Sequence, residues 1–420
     1  MEYKIFGCKV NKYYTDEWLN SDYLSDKKGI FIASCVVTDN AKRKWVKFIK
    51  DTGKNLSAGE KMYVSGCGAF TEGKAQTDFF EVYPNLAYLK DSIEILDEIP
   101  DKKPKPKLNL EEVKNKLKNI PQIYTKKFLL IQGGCDSFCT FCLTVKKRGR
   151  HYSRNLDDIV EDILEYELQG GKEVVLTGVN LTAWGLDSTN DIGKSRFAEL
   201  LIAILDRTEI PRLRISSLGP EFVTDEILEV CKNKRIYPHF HYSVQSGSSN
   251  TLKAMARHYD GKYMRKLLEK TKNLQRDDGI NVSIGADLIV GFPGETDENF
   301  RETYNLIKDG LITKVHAFPF SAHNLGESVP AGKFPNQVDE KIKKERMWEI
   351  MNISDQIRDD FIDQNIGKTL EVLIESAKTD TDGRIKWKGW TQNYIEADQD
   401  TFEISSGTIK RNEIVVGKLK

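Results

Sequence analysis

The sequence has no apolar run of about 18 residues, the length a helix needs to cross a membrane, and its first residues, MEYKIFGCKV, lack the apolar stretch of a secretion signal. We therefore expect a cytoplasmic protein with no membrane partner. An excess of charge is also missing, since 63 basic residues balance 63 acidic ones. A nucleic-acid partner must then bind a local basic surface rather than a protein that is basic overall.

Cysteine is scarce, with 7 residues among 420. An odd number in a chain without a secretion signal argues against a disulfide framework. Metal binding or catalysis is therefore the better explanation for cysteines that cluster. Three of them lie close together, and these are Cys135, Cys139 and Cys142. The isolated Cys231, in a segment of helical character, is best explained as a packing residue.

Three short apolar runs recur in the first hundred residues, and each ends in a cysteine. They are YKIFGC (3–8), GIFIASC (29–35) and KMYVSGC (61–67). Such runs are typical of β-strands, and polar segments of helical character separate them. Strands that alternate with helices predict a parallel sheet, whose strands present their carboxyl ends at one edge. Cys8, Cys35 and Cys67 should meet at that edge; three separate core cysteines are the alternative.

Strands and helices alternate again from residue 128 onward. The predicted strands are FLLIQ (128–132), EVVLTG (173–178), RLRIS (212–216), FHYSV (240–244), VSIGADLIVG (282–291) and KVHAFPF (314–320). Six such units predict a partial barrel, with its site at the carboxyl ends of the strands. Short strand-like runs after residue 367 predict a small all-β barrel. Residues 99–121 are rich in lysine and proline and predict a linker.

Cys135, Cys139 and Cys142 follow the first strand of this predicted barrel with the spacing C-x3-C-x2-C. A structural zinc site needs four ligands, and no fourth cysteine or histidine occurs before His151. Three thiolates on a 4Fe–4S cluster leave one iron open to bind a substrate or a cofactor. We favour an iron–sulfur cluster, with zinc or unligated core thiols as alternatives.

This spacing resembles the signature of the radical S-adenosylmethionine (SAM) superfamily, and further segments resemble its methylthiotransferases. Those segments are GCKVN (7–11), SCVVT (34–38), SGC (65–67), RISSLGPE (214–221), FHYSVQSGS (240–248), DLIVGFPGET (287–296) and HAFPFS (316–321). The resemblance covers nearly the whole chain. It implies an α/β protein with four parts: a flavodoxin-like parallel-sheet domain (1–100), a linker (101–120), a partial (β/α)6 radical SAM barrel (121–353), and a small TRAM-like all-β barrel with a leading helix (354–420).

The resemblance also implies two 4Fe–4S clusters and S-adenosylmethionine as cofactors. One cluster would bind the catalytic residues Cys135, Cys139 and Cys142, and the other the three N-terminal cysteines. GGKEVVLTGVN (170–180) resembles the glycine-rich segment that contacts the methionine group, although its two glycines also suit the end of a helix. This sequence has Gly219 where the family commonly has glutamate. The implied cofactor-binding residues are Gly170, Gly171, Glu173, Ser216, Glu221 and Gln245.

Methylthiotransferases modify either the adenosine 3′ of the tRNA anticodon or an aspartate of a ribosomal protein. GCKVN, SCVVT and residues 316–335 most resemble the branch that acts at C2 of N6-threonylcarbamoyladenosine. The implied partners are the tRNA anticodon loop, an electron donor such as flavodoxin or ferredoxin, and a sulfur source. A ribosomal-protein enzyme, and a non-catalytic iron–sulfur protein that binds RNA or transfers electrons, are the alternatives.

Two groups of residues are candidates for binding the RNA. Trp387 and Trp390, in WKGWTQNY, are candidates for stacking on the unpaired bases of an anticodon loop. Packing inside the small barrel is the alternative for these aromatics. Cations that follow Cys142 in the sequence are candidates for holding phosphates, with a solvated basic loop as the alternative. These cations are Lys146, Lys147, Arg148, Arg150 and Arg154.

Overall fold

The computed structural model describes residues 1–100, 125–187, 194–324 and 327–420. The predicted linker, 101–120, lies outside the described residues. Among the described residues, no helix combines the length and the apolar character needed to cross a bilayer.

The N-terminal region is a parallel sheet with its connecting helices. Its strands are β1 (Glu2–Ile5), β2 (Gly29–Ser34), β3 (Lys61–Gly66) and β6 (Ile93–Ile95), and β4 (Phe70–Thr71) and β5 (Lys74–Ala75) form a short hairpin. Its helices are α1 (Lys9–Leu19), α2 (Asp39–Gly53) and α3 (Phe79–Val82). β2 and β3 are almost entirely buried, as expected for parallel strands that are covered on both faces.

The strand order of this sheet is β1-β2-β3-β6, with all neighbours parallel. The predicted parallel α/β sheet is therefore present. A flavodoxin-like order would instead begin 2-1-3. Here each connection places the next strand on the same side of the previous one, so β1 lies at the edge of the sheet. In a flavodoxin-like sheet β1 would lie between two other strands. The flavodoxin-like topology expected from the resemblance is therefore wrong.

The central region contains all six predicted parallel strands. They are β7 (Lys127–Gly133), β9 (Glu173–Gly178), β10 (Arg212–Ile215), β11 (His239–Gln245), β12 (Ser283–Val290) and β13 (Lys314–Pro319), and β8 (Tyr152–Ser153) pairs with β7. The helices are α4 (Thr144–Arg148), α5 (Leu156–Leu168), α6 (Phe197–Arg207), α7 (Asp225–Val230), α8 (Ser249–Ala254), α9 (Gly261–Lys272) and α10 (Asp297–Lys308). Two sheets, β10-β9-β7-β8 and β11-β12-β13, are linked by isolated parallel bridges from Leu213, in β10, to Ile236 and from Leu218, just after β10, to Tyr242.

The N-terminal region covers the inner face of the central strands. On β7, Leu129 and Ile131 join the large core shared with the helices, whereas Phe128 and Leu130 face the other way. These two side chains, with Val175 on β9, pack against the buried face of α1. As a result, the amino terminus of α1, where Cys8 lies, is held above the interior of the central region.

The C-terminal region is a curled antiparallel sheet in the order β16-β15-β14-β18-β17. Its strands are β14 (Thr369–Thr379), β15 (Ile385–Thr391), β16 (Glu396–Asp398), β17 (Phe402–Ser406) and β18 (Ile414–Leu419). One continuous helix, α11 (Glu340–Asp363), precedes it and crosses the expected domain boundary at 353. Ile350 of this helix belongs to the central core and Phe361 to the C-terminal core, so the two regions share α11.

Candidate active site

Three cysteines, here called the N-terminal cysteines, follow the three adjacent strands of the N-terminal sheet. Cys8 caps α1 after β1, Cys35 follows β2, and Cys67 follows β3. Gly7 permits their approach, because a Cβ there would lie 2.9 Å from the Cys35 Sγ. Burial and, to a smaller extent, the charges of Cys67 and Cys8 raise the pKa of Cys35 to about 12. The structure thus brings these thiols together, and a nearby positive charge is needed to ionise them.

Cys135, Cys139 and Cys142, here called the central cysteines, occupy the loop that follows β7. Gly134 begins the loop with a φ of +61°, and a Cβ there would lie 1.7 Å from the Arg150 carbonyl oxygen. Glycine is therefore the residue that this turn accepts. The path of the loop is consequently fixed by the backbone that passes behind it.

The donor set of each cysteine group suits an iron–sulfur cluster better than a single ion. A tetrahedral zinc site holds its sulfur ligands about 4 Å apart. Within the described ranges, the one trio with all its ligand atoms within 4.8 Å of one another is His241, Asp287 and His316. Neither cysteine group is therefore as compact as a zinc site requires. Three thiols without a fourth ligand also match a cluster that keeps one iron open.

Arg148, which ends the helix α4 that follows the central cysteines, contacts the N-terminal cysteines. It lies six positions after Cys142 in the sequence. Its Nε donates a hydrogen bond to the Cys67 Sγ at 3.1 Å, and its Nη2 donates to the Asn11 Oδ1 at 2.9 Å. Its Nη1 forms a buried ion pair with Glu98. A buried cation therefore lies beside a thiol that burial would otherwise keep protonated.

Arg257 makes the corresponding contact at the central cysteines. Its Nη1 donates to the Cys139 Sγ at 3.2 Å, its Nη2 to the Glu221 carboxylate at 3.2 Å, and its Nε to the Tyr259 hydroxyl at 3.1 Å. Burial raises the pKa of Cys139, and the Arg257 guanidinium opposes that rise. No sequence motif marks Arg257, and only the tertiary structure reveals its contact with the cysteine. Glu221, a predicted cofactor residue, holds this arginine.

Two other predicted cofactor residues lie at the same end of the strands as the central cysteines. Ser216 follows β10, and Gln245 ends β11. Sequence reasoning missed Asn180, which follows β9 and whose N–H donates to the Gln132 side chain at 2.8 Å. Asn180 also accounts for the unusual Gly219, because a Cβ at 219 would lie 2.1 Å from the Asn180 Oδ1.

The remaining three predicted cofactor residues lie at the opposite end of the central strands. Gly170 and Gly171 precede β9, and Glu173 is its first residue. The Gly171 N–H donates to the Tyr166 carbonyl at 2.9 Å, which closes α5. The glycines therefore terminate a helix, and their strand carries them away from the central cysteines because its direction is fixed by the parallel sheet.

Glu173 is buried and forms ion pairs instead of facing a ligand. Its carboxylate lies 2.8 Å from Arg212 and 3.0 Å from Arg214. Burial alone would raise the pKa of Glu173, but Arg214, Arg212 and Lys126 outweigh this effect and hold it well below its usual range. The residue therefore stays ionised between two buried cations.

We expect Glu173→Gln to lower the free energy of unfolding by about 3–5 kcal/mol at pH 7, because it leaves both guanidinium groups buried without a counter-charge. The loss should shrink as the pH falls below 4.5, the pKa of this carboxyl in the unfolded chain. The buried arginines stabilise only the ionised carboxylate, and protonation removes that contribution at lower pH. Urea denaturation followed by circular dichroism measures both. Glu199→Gln, which removes an exposed pair, is the control and should change little.

The five basic RNA candidates differ in exposure. Lys147 and Arg148 are buried, and the Lys147 ammonium donates to the Phe70 carbonyl at 2.8 Å. Arg148 is occupied by the contacts described above. These two residues face the N-terminal region, whose packing over the loop could not be read from the local sequence.

The other three basic candidates are more accessible. Arg154 is partly exposed and pairs with Asp162 at 2.8 Å. The side chains of Lys146 and Arg150 are 56% and 69% exposed. Each also pairs with a neighbouring carboxylate. Lys146 and Arg150 are consequently the two of the five best placed to meet a phosphate.

The two tryptophan candidates pack within the protein. Trp387 is buried in the C-terminal core. Trp390 stacks on Tyr394 at 4.5 Å between ring centroids, and Tyr394 stacks on His239 of the central region at 4.2 Å. The Trp390 carbonyl also accepts a hydrogen bond from Arg212 at 3.0 Å. This stack joins two regions of the protein, and the Trp390 face that contacts Tyr394 is not available to a base.

Comparisons with known proteins show which proteins this chain is similar to. The family model described as the radical SAM superfamily matches residues 129–307. The threonylcarbamoyladenosine tRNA methylthiotransferase MtaB of Bacillus subtilis is 30% identical over 433 residues, which cover 98% of this chain and 91% of the relative. MtaB of Thermotoga maritima is 33% identical and covers 88% and 85%. The tRNA-2-methylthio-N(6)-dimethylallyladenosine synthase of Bacillus licheniformis is 30% identical and covers 89% and 75%.

The strand-end cysteine loop and the matching family model together define a radical SAM enzyme. The similarity to methylthiotransferases extends over nearly the full length of both chains, well beyond the central region. The chain therefore belongs to the radical SAM methylthiotransferase family. Enzymes of this family use S-adenosylmethionine and 4Fe–4S clusters, and the two cysteine groups provide ligands suited to such clusters.

Proposed function

We propose that the protein inserts a methylthio group at C2 of N6-threonylcarbamoyladenosine, beside the anticodon of tRNA. The observation that carries the proposal is the Arg148 contact with Cys67, because it joins the central loop to the N-terminal cysteines. Both groups can then act on one substrate. Relatives that cover most of the chain bear the name of this activity.

In this proposal the central cysteines bind one 4Fe–4S cluster and the N-terminal cysteines bind the other. When bound, the clusters and S-adenosylmethionine supply the hydrogen abstraction and the sulfur that a methylthio transfer requires. Arg257 and Arg148 each stabilise the ionised form of one ligand, Cys139 and Cys67 respectively. Ser216, Gln245 and Asn180, at the carboxyl ends of their strands, are the residues best placed to orient the cofactor.

The domain plan belongs to the same proposal. Residues 1–100 form the sulfur-donating domain, 121–353 form a partial radical SAM barrel, and 354–420 form a TRAM-like barrel that begins within α11. The RNA would approach the open end of the central strands, where Lys146 and Arg150 are exposed. An electron donor and a sulfur source complete the set of partners.

Mass spectrometry of nucleosides from tRNA tests the proposal. We expect a deletion strain to accumulate N6-threonylcarbamoyladenosine and to lose its 2-methylthio derivative, which the wild-type gene should restore. Mass spectrometry of ribosomal proteins from the same strains is the comparison. Loss of a methylthio group from a ribosomal aspartate, with unchanged tRNA nucleosides, would assign the protein to the alternative branch.

A further inference from the structure

A polar cluster on three neighbouring strands has no part in the cysteine sites. It consists of His241 on β11, Asp287 on β12 and His316 on β13. The Asp287 Oδ1 lies 3.0 Å from the His241 Nε2 and 3.7 Å from the His316 Nδ1. The two imidazole rings are 5.0 Å apart between centroids. Asp287 and His316 are direct neighbours in the parallel register, so the backbone fixes their proximity.

This cluster faces the inner side of the central strands. The next residues along β12, Ala286 and Leu288, belong to the core shared with the helices, so Asp287 points the opposite way. On that side of the sheet α1 packs against β7 and β9, and its first residue is Lys9. Burial lowers the pKa of Lys9 to about 8, and the charge of the Asp287 carboxylate opposes that change. Lys9 directly follows Cys8, so the ammonium that the Asp287 charge acts on lies at the same end of α1 as the N-terminal cysteines.

The cluster combines a carboxylate with several nitrogen donors and is partly open. Burial would raise the pKa of Asp287, but His241 and His316 together hold it well below its usual range. Asp287 is therefore an ionised hydrogen-bond acceptor. The side chain of His316 is 49% exposed, whereas that of His241 is 9% exposed. A ligand would thus contact His316 and Asp287 from the open side, while His241 holds Asp287 from behind.

We propose that Lys9, Asp287 and His316 bind the threonyl part of the modified adenosine, with His241 as the residue that positions Asp287. This inference rests on the proposed function and names its recognition site. The substituent offers a carboxylate to Lys9 and His316, and a hydroxyl and amide N–H groups to Asp287. An aliphatic substituent on the same adenosine would leave these polar groups without partners, which sites of this kind reject strongly.

The test measures product formation by purified, anaerobically reconstituted enzyme on two forms of one tRNA. One form carries N6-threonylcarbamoyladenosine and the other carries the unmodified adenosine. Both His316→Ala and Asp287→Asn should lower the rate on the modified tRNA by about 10- to 100-fold, because each removes a partner of the substituent. Iron content and tRNA-independent conversion of S-adenosylmethionine to 5′-deoxyadenosine should not change. His258→Ala, which alters an exposed histidine, is the matched control.

Three results would overturn the inference. The first is an unchanged rate and preference for the modified tRNA in both variants. The second is a parallel loss of 5′-deoxyadenosine without tRNA, which would assign the cluster to the cofactor. The third is stoichiometric binding of Co²⁺ that His316→Ala abolishes, since two histidines and a carboxylate also bind transition metals. If wild-type enzyme fails on the modified tRNA, the proposed function itself is wrong, which the variants alone would not show.

Discussion

Cys139→Ala should abolish the methylthio nucleoside and remove about half of the protein-bound iron, because three thiolates are the fewest that hold a 4Fe–4S cluster with one open iron. Cys139 is also the buried member of the central cysteines and the one that Arg257 contacts. Its loss would leave a buried guanidinium without its sulfur partner. The remaining two thiols cannot replace it, since the Gly134 turn fixes the path of the loop.

Iron analysis of anaerobically reconstituted protein and mass spectrometry of tRNA nucleosides measure the two effects. Cys231→Ala is a matched control, because it removes the same atoms from another buried cysteine that lies only in the hydrophobic core. We expect that variant to keep its full iron content and its product. Product from Cys139→Ala at the wild-type level would exclude the central cysteines as the site of reaction.

The convergence of the N-terminal cysteines could be predicted from the sequence because it follows from a local rule. Cys8, Cys35 and Cys67 each end an apolar run, and parallel strands place such ends at one edge. The position of the central cysteines could be predicted in the same way, because their C-x3-C-x2-C segment directly follows a strand. In each case a short segment determines where the cysteines lie, provided that the strands of the sheet are parallel.

The arginine contacts could not be predicted, because they depend on how distant segments pack. Arg148 lies in a basic stretch that indicates an exposed surface, yet the N-terminal region covers it. Arg257 lies more than a hundred residues from Cys139 in the sequence, and no pattern links the two. The prediction that Glu173 binds the cofactor is wrong for another reason. Its motif resembles a cofactor segment, but the direction of β9 places Glu173 beside Arg212 and Arg214.

Arg148→Met should disable the N-terminal cysteines while leaving the central ones intact. Methionine keeps part of the apolar stem and removes the guanidinium that lies over the Tyr14 and Phe70 rings. The change removes the cation beside Cys67 and leaves the Glu98 carboxylate buried without a counter-charge. Breaking such a pair destabilises a protein by about 3–5 kcal/mol. We expect lower iron content, no methylthio nucleoside, and continued formation of 5′-deoxyadenosine at the central cysteines.

The double variant Arg148→Met/Glu98→Gln separates stability from function. Removing the unpaired carboxylate should restore much of the unfolding free energy measured in urea, because the destabilisation comes largely from the buried charge. It should not restore the methylthio nucleoside, since Cys67 still lacks its cation. If the double variant regains product together with stability, Arg148 serves only to hold the two regions together. If product stays absent in a stable protein, the guanidinium acts on the Cys67 thiolate itself.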